Sequence, residues 1–345
     1  MTRTPAYIFC IPLFWFSLYA LVGCTKTEPE VTFDDYLTRL GRVTDISVPP
    51  TAPHSRPQYP ARAKLLPVIE SPTINWLELW DYRQCGLSTL LGERNSVLGK
   101  HMQASTHFVM DVEIIQALQY CRTQTADTES QKLSDTLLNI KREQLPLRFA
   151  KATAASEEMQ SFWSYSGPTL IAPQTSLNAS IEAIDHWQLS MREAPLTLPD
   201  ISLLENSNKV LRQKQGGTLL KSLIFAEQKM RSANRILAQA EQRKTLCPLG
   251  LAKQELNWAR NVMRKFFITK VQPYLARINA DNLALQASYN QFYQRLPNST
   301  QQVLIPFTEQ WHTLSKAFTL STKAHVKHWQ SLFASCGESA TKESP

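Results

Sequence analysis

Chemistry in this 345-residue chain must come from side chains whose types and spacing allow cooperation, and few sets qualify. Leu77, Trp80, Gln84, Leu87, Leu91, Arg94 and Leu98 recur at alternating intervals of three and four, so they share one face of an amphipathic helix. Gln84 and Arg94 are the polar members of that apolar face. A desolvated guanidinium is costly when alone, so Arg94 must meet a carboxylate or backbone oxygens, with Asp81, Glu93 and Asn95 close in sequence. The structural interpretation is a polar network of Asp81, Arg83, Gln84, Glu93, Arg94 and Asn95 that sets helix register. The functional one is a small anionic-ligand pocket built from Arg83, Arg94 and Gln84. Other chemistry is thinly supplied. His325 and His328 stand three apart on a helix, but no carboxylate lies between Trp311 and Gly337 to complete a metal shell, so neither metal nor cofactor is expected. The sequence contains no G-x-S-x-G, no H-E-x-x-H and no phosphate-cradling glycine loop.

Cys24 is the one residue with a specific lipidation expectation. Arg3 is followed by an almost wholly apolar run, Tyr7 to Val22, of about 16 residues. That is short of the roughly 20 that cross a bilayer and suits a signal peptide. Leu21-Val22-Gly23-Cys24 resembles the lipobox of bacterial lipoproteins, the alternative being a plain secretory signal. The resemblance implies a diacylglycerol on the Cys24 thiol, cleavage after Gly23 and acylation of the new amino terminus with palmitate-type chains. Two or more acyl chains hold a protein stably to a membrane. In the sorting rule of such proteins an aspartate after the cysteine retains the chain in the inner membrane, so Thr25 implies the periplasmic face of the outer membrane.

Four cysteines remain beyond the leader: Cys85, Cys121, Cys247 and Cys336. An even number in an oxidising compartment favours two disulfides. The region Gly99 to Ala104 reads as a turn between two antiparallel amphipathic helices, and with a midpoint near residue 103 Cys85 lies opposite Cys121. Cys247 is then left with Cys336. A helical hairpin turning near Asn298 places Cys336 opposite residue 260 or so, about 20 Å from Cys247 unless Pro273 or Pro306 bends the helices.

The elements that position these residues are helical. Residues 1–23 form the leader and 24–31 the lipidated tether. Over 32–70 a short helix capped by Thr32, with Phe33, Tyr36, Leu37, Leu40 and Val43 on one face, leads into a strap with five prolines between Pro49 and Pro60. Residues 71–199 make an N-terminal helical half, whose first helix is capped at Ser71 and whose second runs from about Ser105 to Cys121. A third helix ends near Arg142. Residues 200–336 make a half of long helices, about 200–243 interrupted at Gly216-Gly217, about 250–296 kinked at Pro273, and about 300–335. Residues 337–345 read as a disordered tail. The fold class is all-α, an elongated multi-helix bundle with a Pro-rich N-terminal strap, about 70% helical by periodicity.

Composition agrees: 43% hydrophobic and 19% charged residues are enough for a full core and exclude a disordered chain. The formal charge of +8 is uneven, because Ser207 to Arg277 holds 15 Lys plus Arg against three acids. Outside the cytoplasm nucleic acid is not an available partner, whereas lipid headgroups, other anionic envelope components and envelope proteins are. The simpler reading is a solvated basic face on long helices.

Tyr36-Leu37-x-Arg39-Leu40, Tyr59-Pro60-x-Arg62, Tyr82-Arg83-Gln84-Cys85-Gly86-Leu87 and Glu93-Arg94-Asn95-Ser96-x-Leu98-Gly99 together resemble an uncharacterised family of gammaproteobacterial lipoproteins, domain-of-unknown-function family 3080. The resemblance strengthens the lipoprotein expectation and implies no activity, cofactor or catalytic residue. The functional expectation is an outer-membrane-anchored, non-catalytic helical binding or scaffold protein of the cell envelope. Its partners would be the membrane, through the anchor, and an envelope protein or anionic envelope component. The alternatives are an envelope enzyme acting on peptidoglycan or lipid, and an acyl-chain carrier.

Overall fold

A reciprocal cap starts the first helix. The Glu30 carboxylate accepts from the backbone N–H of Thr27 at 2.7 Å and from its hydroxyl at 2.8 Å, and Pro29 sits in the first turn, where no donor is needed. Helix α1 (Glu28–Thr44) therefore starts from Thr27, ahead of the expected cap Thr32. Its face of Phe33, Tyr36, Leu37 and Leu40 is buried as the spacing requires.

The structure is a computed structural model that describes residues 26–70, 85–124, 127–167, 170–172, 176–191, 196–248 and 254–339. The leader, Cys24, Thr25, and the segment carrying Leu77, Trp80, Asp81, Arg83 and Gln84 lie outside the described residues. Among those described, every regular element is helical and none is a strand. After α1 come α2 (Arg62–Leu65), α3 (Leu87–Asn95), α4 (Val97–Lys100), α5 (Ala104–Gln124), α6 (Thr128–Ala152) and α7 (Glu157–Phe162). They are followed by α8 (Asn178–Leu189), α9 (Ile201–Leu211), α10 (Gln215–Arg243), α11 (Gln254–Val262), a π-helical stretch Met263–Val271, α12 (Gln272–Gln294) and α13 (Asn298–Ser335). A single apolar cluster runs from Phe33 to Cys336.

The disulfide Cys85–Cys121 ties the start of α3 to the end of α5, with Cα atoms 5.3 Å apart, as the hairpin geometry predicts. The apolar stripe itself does not continue to Leu98. Ser96 ends α3, donates to the Glu93 carbonyl at 2.7 Å and accepts from the Gly99 N–H at 2.9 Å, which caps α4 and rotates the face. Val97 and Leu98 are 76% and 81% exposed. Helix α6 runs past the expected end at Arg142, through Pro146, because Leu145, Arg148 and Phe149 continue its buried face.

The long helices α10 and α13 run parallel. Asn234 meets His325, Glu241 meets Ser331 and Cys247 bonds to Cys336, at sequence separations of 91, 90 and 89. A constant difference, rather than a constant sum, is the mark of equal rise in the same direction. This is why Cys336 reaches Cys247 although the α12–α13 hairpin also brings it near Arg260: α13 ends beside the loop that follows α10. Ala226, Ala233 and Ala240, spaced by seven, are fully buried along α10. Pro273 follows the π-helical stretch, where the Gln272 N–H reaches back to the Phe267 carbonyl. Pro273 itself offers no donor to its own preceding turn.

The strap lies against α10. Its carbonyls are taken up by side chains: Gln228 donates to Thr51 O at 2.7 Å, Arg231 to Ala52 O at 2.6 Å and Arg235 to Pro50 O at 3.0 Å. Farther along, Tyr165 donates to Pro57 O at 2.9 Å and Gln160 to Pro60 O at 2.9 Å. The basic excess is thus partly internal, since prolines leave acceptors without ladder partners and the cations of α10 supply donors. At the other end, residues 337–339, expected as the start of a tail, are held by Arg260, which bonds the Glu338 carboxylate and the Ser339 carbonyl.

Gly216 and Gly217 do not interrupt α10. The break comes earlier, at Lys214 with φ +61°, and the glycines occupy the first helical turn. A Cβ on Gly217 would stand 2.1 Å from the Ser164 carbonyl oxygen, so the pair lets α10 approach the segment after α7. Gly217→Ala is expected to lower stability by about 1–3 kcal/mol in chemical denaturation. Gly92→Ala, at a helical position with nothing within 4 Å, should leave stability unchanged or raise it slightly.

Candidate functional site

Asp111 is the buried acid among the described residues of the N-terminal helical half. It stands on the apolar face of α5 between Phe108 and Val112, with 1% of its surface exposed. A carboxylate there requires charged partners. Lys141 donates to Oδ1 at 2.9 Å, Arg148 Nε stands 2.9 Å from Oδ2 without hydrogen-bond alignment, and Arg94 Nε lies 3.7 Å from Oδ1. Lys141 and Arg148, seven residues apart, project from one side of α6, and Arg94 comes from the last turn of α3. Arg94 therefore meets a carboxylate, as its burial demands, but the acid is on the facing helix. Glu93 and Asn95 are exposed and stay outside the cluster. Asp81, Arg83 and Gln84 lie outside the described residues. The legible signal for Asp111 was its place at the i+3 position of the stripe Phe108, Val112, Ile115 and Leu118.

Three cations face one carboxylate, and the surplus extends outward. His107, one turn before Asp111, has a buried Nε2 without a hydrogen-bond partner. Burial and the repulsion of Arg94 and Arg148 push it down to about 4. Lys151, one turn beyond Arg148, is lowered by burial and then by Arg148, Arg94 and Arg62. Arg148 is itself lowered, first by burial, although Asp111 counteracts this. These groups share one electrostatic field.

His107 and Lys151 open onto a cleft of about 360 Å³ whose walls also include Arg62, Lys100, Ser156 and Arg212. Two acids on α7 partly balance it. Glu157 pairs with Arg62 at 3.0 Å, and Glu158 with Arg212 at 2.5 Å. Arg62 also donates to the Ala155 carbonyl at 3.0 Å, which fixes the end of the strap against the α6–α7 turn. Neither Lys100 nor Lys151 is paired with a carboxylate among the described residues.

His325 occupies a different setting, fully buried between α1, α10 and α13. Asn234 donates through Nδ2 to the Ser321 carbonyl at 2.8 Å, which turns its Oδ1 toward His325 Nδ1 at 2.8 Å. Nδ1 must then carry the proton. Nε2 accepts from Tyr36 Oη at 2.6 Å and from Trp329 Nε1 at 3.0 Å. Both ring nitrogens are engaged, so His325 is a core histidine and not half of a pair with His328. Burial pushes it down to about 3 and raises Tyr36. Among the described residues no group of three His, Cys, Asp or Glu side chains is arranged to hold a metal.

A family model described as "Protein of unknown function (DUF3080)" matches residues 33–340. The chain belongs to the DUF3080 family. Comparison with curated proteins and with solved structures gives no match. The DUF3080 region contains both disulfides, the strap, the Asp111 cluster, the cleft and the His325 network, so all of them belong to the family's unit. Membership names no reaction.

Asp111→Asn, which strands three cations, should cost about 3–5 kcal/mol in chemical denaturation. Combining it with Arg148→Met should cost clearly less than the sum of the two single changes. The pH dependence follows from His325. Its folded-state value lies below the usual 6.5, so the unfolded chain binds more protons between pH 6.5 and about 3. Stability is fully present above 6.5 and should fall as pH drops through that window, by at most about 1.4 kcal/mol per pH unit for this one group. Melting curves of His325→Gln should show a shallower acid slope than the parent.

Proposed function

We propose that this DUF3080 protein is a lipid-anchored periplasmic protein of the outer membrane, tethered through Cys24, whose helical body serves as a non-catalytic binding scaffold of the cell envelope. The observation that carries the reading is the pairing of Cys85 with Cys121 and of Cys247 with Cys336. All four cysteines beyond the lipobox are consumed in disulfides, which persist in oxidising compartments. The lipobox-like Leu21-Val22-Gly23-Cys24 supports export by an independent route. Because α1 begins at Glu28, a lipid on Cys24 would hold the helical body close to the bilayer.

The buried histidines and tyrosines favour binding over catalysis by the direction of their shifts, while burial moves Lys151 down and Asp281 up, toward neutrality. A general acid or base works best with its pKa near the operating pH. His107 and His325 are displaced away from that range, to about 4 and about 3, and the buried tyrosines Tyr36 and Tyr289 are raised. These groups are held in single protonation states, which suits a fixed surface more than proton transfer.

Cells grown with radiolabelled palmitate should incorporate label into the wild-type chain and not into Cys24→Ala, and the label should fractionate with outer membranes. Absence of label from the wild type would remove the anchor. Crosslinking in cells should recover a reproducible envelope partner, and a chain that crosslinks to nothing would remove the scaffold role.

A further inference from the structure

The cleft beside the Asp111 cluster holds more positive charge than the protein's own acids neutralise. Arg62 and Arg212 are matched by Glu157 and Glu158, but Lys100 and Lys151 have no such partner among the described residues. Behind them, Arg94, Lys141 and Arg148 share the single carboxylate of Asp111. Lys151 on α6, Arg94 on α3 and Arg62 on α2 are brought together only by the fold, and each raises the potential felt by the others. Solvation alone does not account for a surplus that is partly buried. Like charges forced together, with the Nε atoms of Arg94 and Arg148 and the Nε2 of His107 all lacking a hydrogen bond, form a local conflict of the kind that marks a binding site.

We infer that this cleft binds a phosphate-bearing anion, with Lys100 and Lys151 as direct ligands and Arg62 and Arg212 as flanking donors. A phosphate fits better than a single carboxylate for two reasons. Its second negative charge answers two unmatched lysines, and its several oxygens accept donors arriving from separate walls of the cleft. Ser105 and Ser156 line the same cleft, Ser105 donating to the Glu205 carboxylate, which also faces Arg212, and Ser156 accepting from the Met159 N–H. Glu157 and Glu158 are held by the arginines, so the guanidinium groups are oriented before a ligand arrives. The first turn of α5, at Ala104 and Ser105, borders the cleft and contributes in the same direction.

The phosphate could be carried by a small soluble molecule or by a lipid headgroup. This inference rests on the binding reading above but not on the lipid anchor, because the cleft is formed by residues 62–212. The test uses the full chain purified in detergent. Inorganic pyrophosphate, titrated to about ten times its apparent Kd, should raise the thermal midpoint saturably beyond sodium chloride of matched ionic strength. Lys151→Met and Lys100→Met, each checked for an unchanged circular dichroism spectrum, should weaken that response about tenfold. Lys265→Met, on the π-helical stretch, should not. If Lys151→Met fails to fold, Lys100→Met, at an exposed position, carries the test.

A second arm reconstitutes the chain in phosphatidylcholine vesicles with and without phosphatidic acid. A thermal shift that needs phosphatidic acid and is lost in Lys100→Met assigns the phosphate to a lipid headgroup, whereas a response to pyrophosphate alone assigns it to a soluble ligand. Shifts equal to those with chloride, equal shifts in the lysine variants, or an equal response to succinate would each overturn the proposal. A failure of palmitate labelling alongside a lysine-dependent pyrophosphate response would remove the anchor and leave the site standing.

Discussion

Parallel packing of α10 and α13 constrains everything around it. Two helices running in the same direction cannot be joined by a short turn, so the chain between them has to go out and return, and α11, the π-helical stretch and α12 make that journey. The constant offset of about ninety residues aligns Asn234 with His325 and Cys247 with Cys336. Helix α1 packs against α10. Tyr36 reaches the His325 ring from there, so a hydrogen bond spanning 289 positions of sequence joins the first helix to the last. The disulfide at the end of the pair and the histidine about three turns before it hold one and the same register.

Two buried polar centres follow opposite rules. Around His325 every donor and acceptor finds a partner, and the neutral ring suits its apolar surroundings. Such a network specifies one packing arrangement. Around Asp111 the charges do not cancel. Lys141 satisfies one carboxylate oxygen, but the guanidinium groups of Arg94 and Arg148 are aligned poorly for hydrogen bonding, and the excess continues through Lys151 into an open cleft. The contrast between a closed network and an unbalanced one separates a structural centre from a binding centre without reference to any relative.

The basic character of residues 207–277 has a partly internal destination. Arg231 and Arg235 hold strap carbonyls, Lys229 pairs with Asp34 at 2.6 Å, and Lys221 donates to the Gly167 carbonyl at 2.9 Å. Proline-rich backbone carries acceptors that no helix or sheet uses, and long cationic side chains reach them. The cleft takes most of its cations from elsewhere, from α2, α4 and α6.

Periodicity along the chain was sufficient for the all-α class, for the buried face of α1, for the Cys85–Cys121 hairpin and for the demand that Arg94 find a carboxylate. Each depends on residues within a few helical turns of one another, where a rise of 1.5 Å per residue makes position a function of number. Tertiary structure alone decided that Asp111 is the acid, that α13 lies parallel to α10 and so brings Cys336 to Cys247, that Gly216 and Gly217 permit a close approach instead of a break, and that six separate elements wall one cationic cleft. Those outcomes depend on which helix packs against which. That choice is made by summed burial over many side chains far apart in sequence, and no local spacing records it.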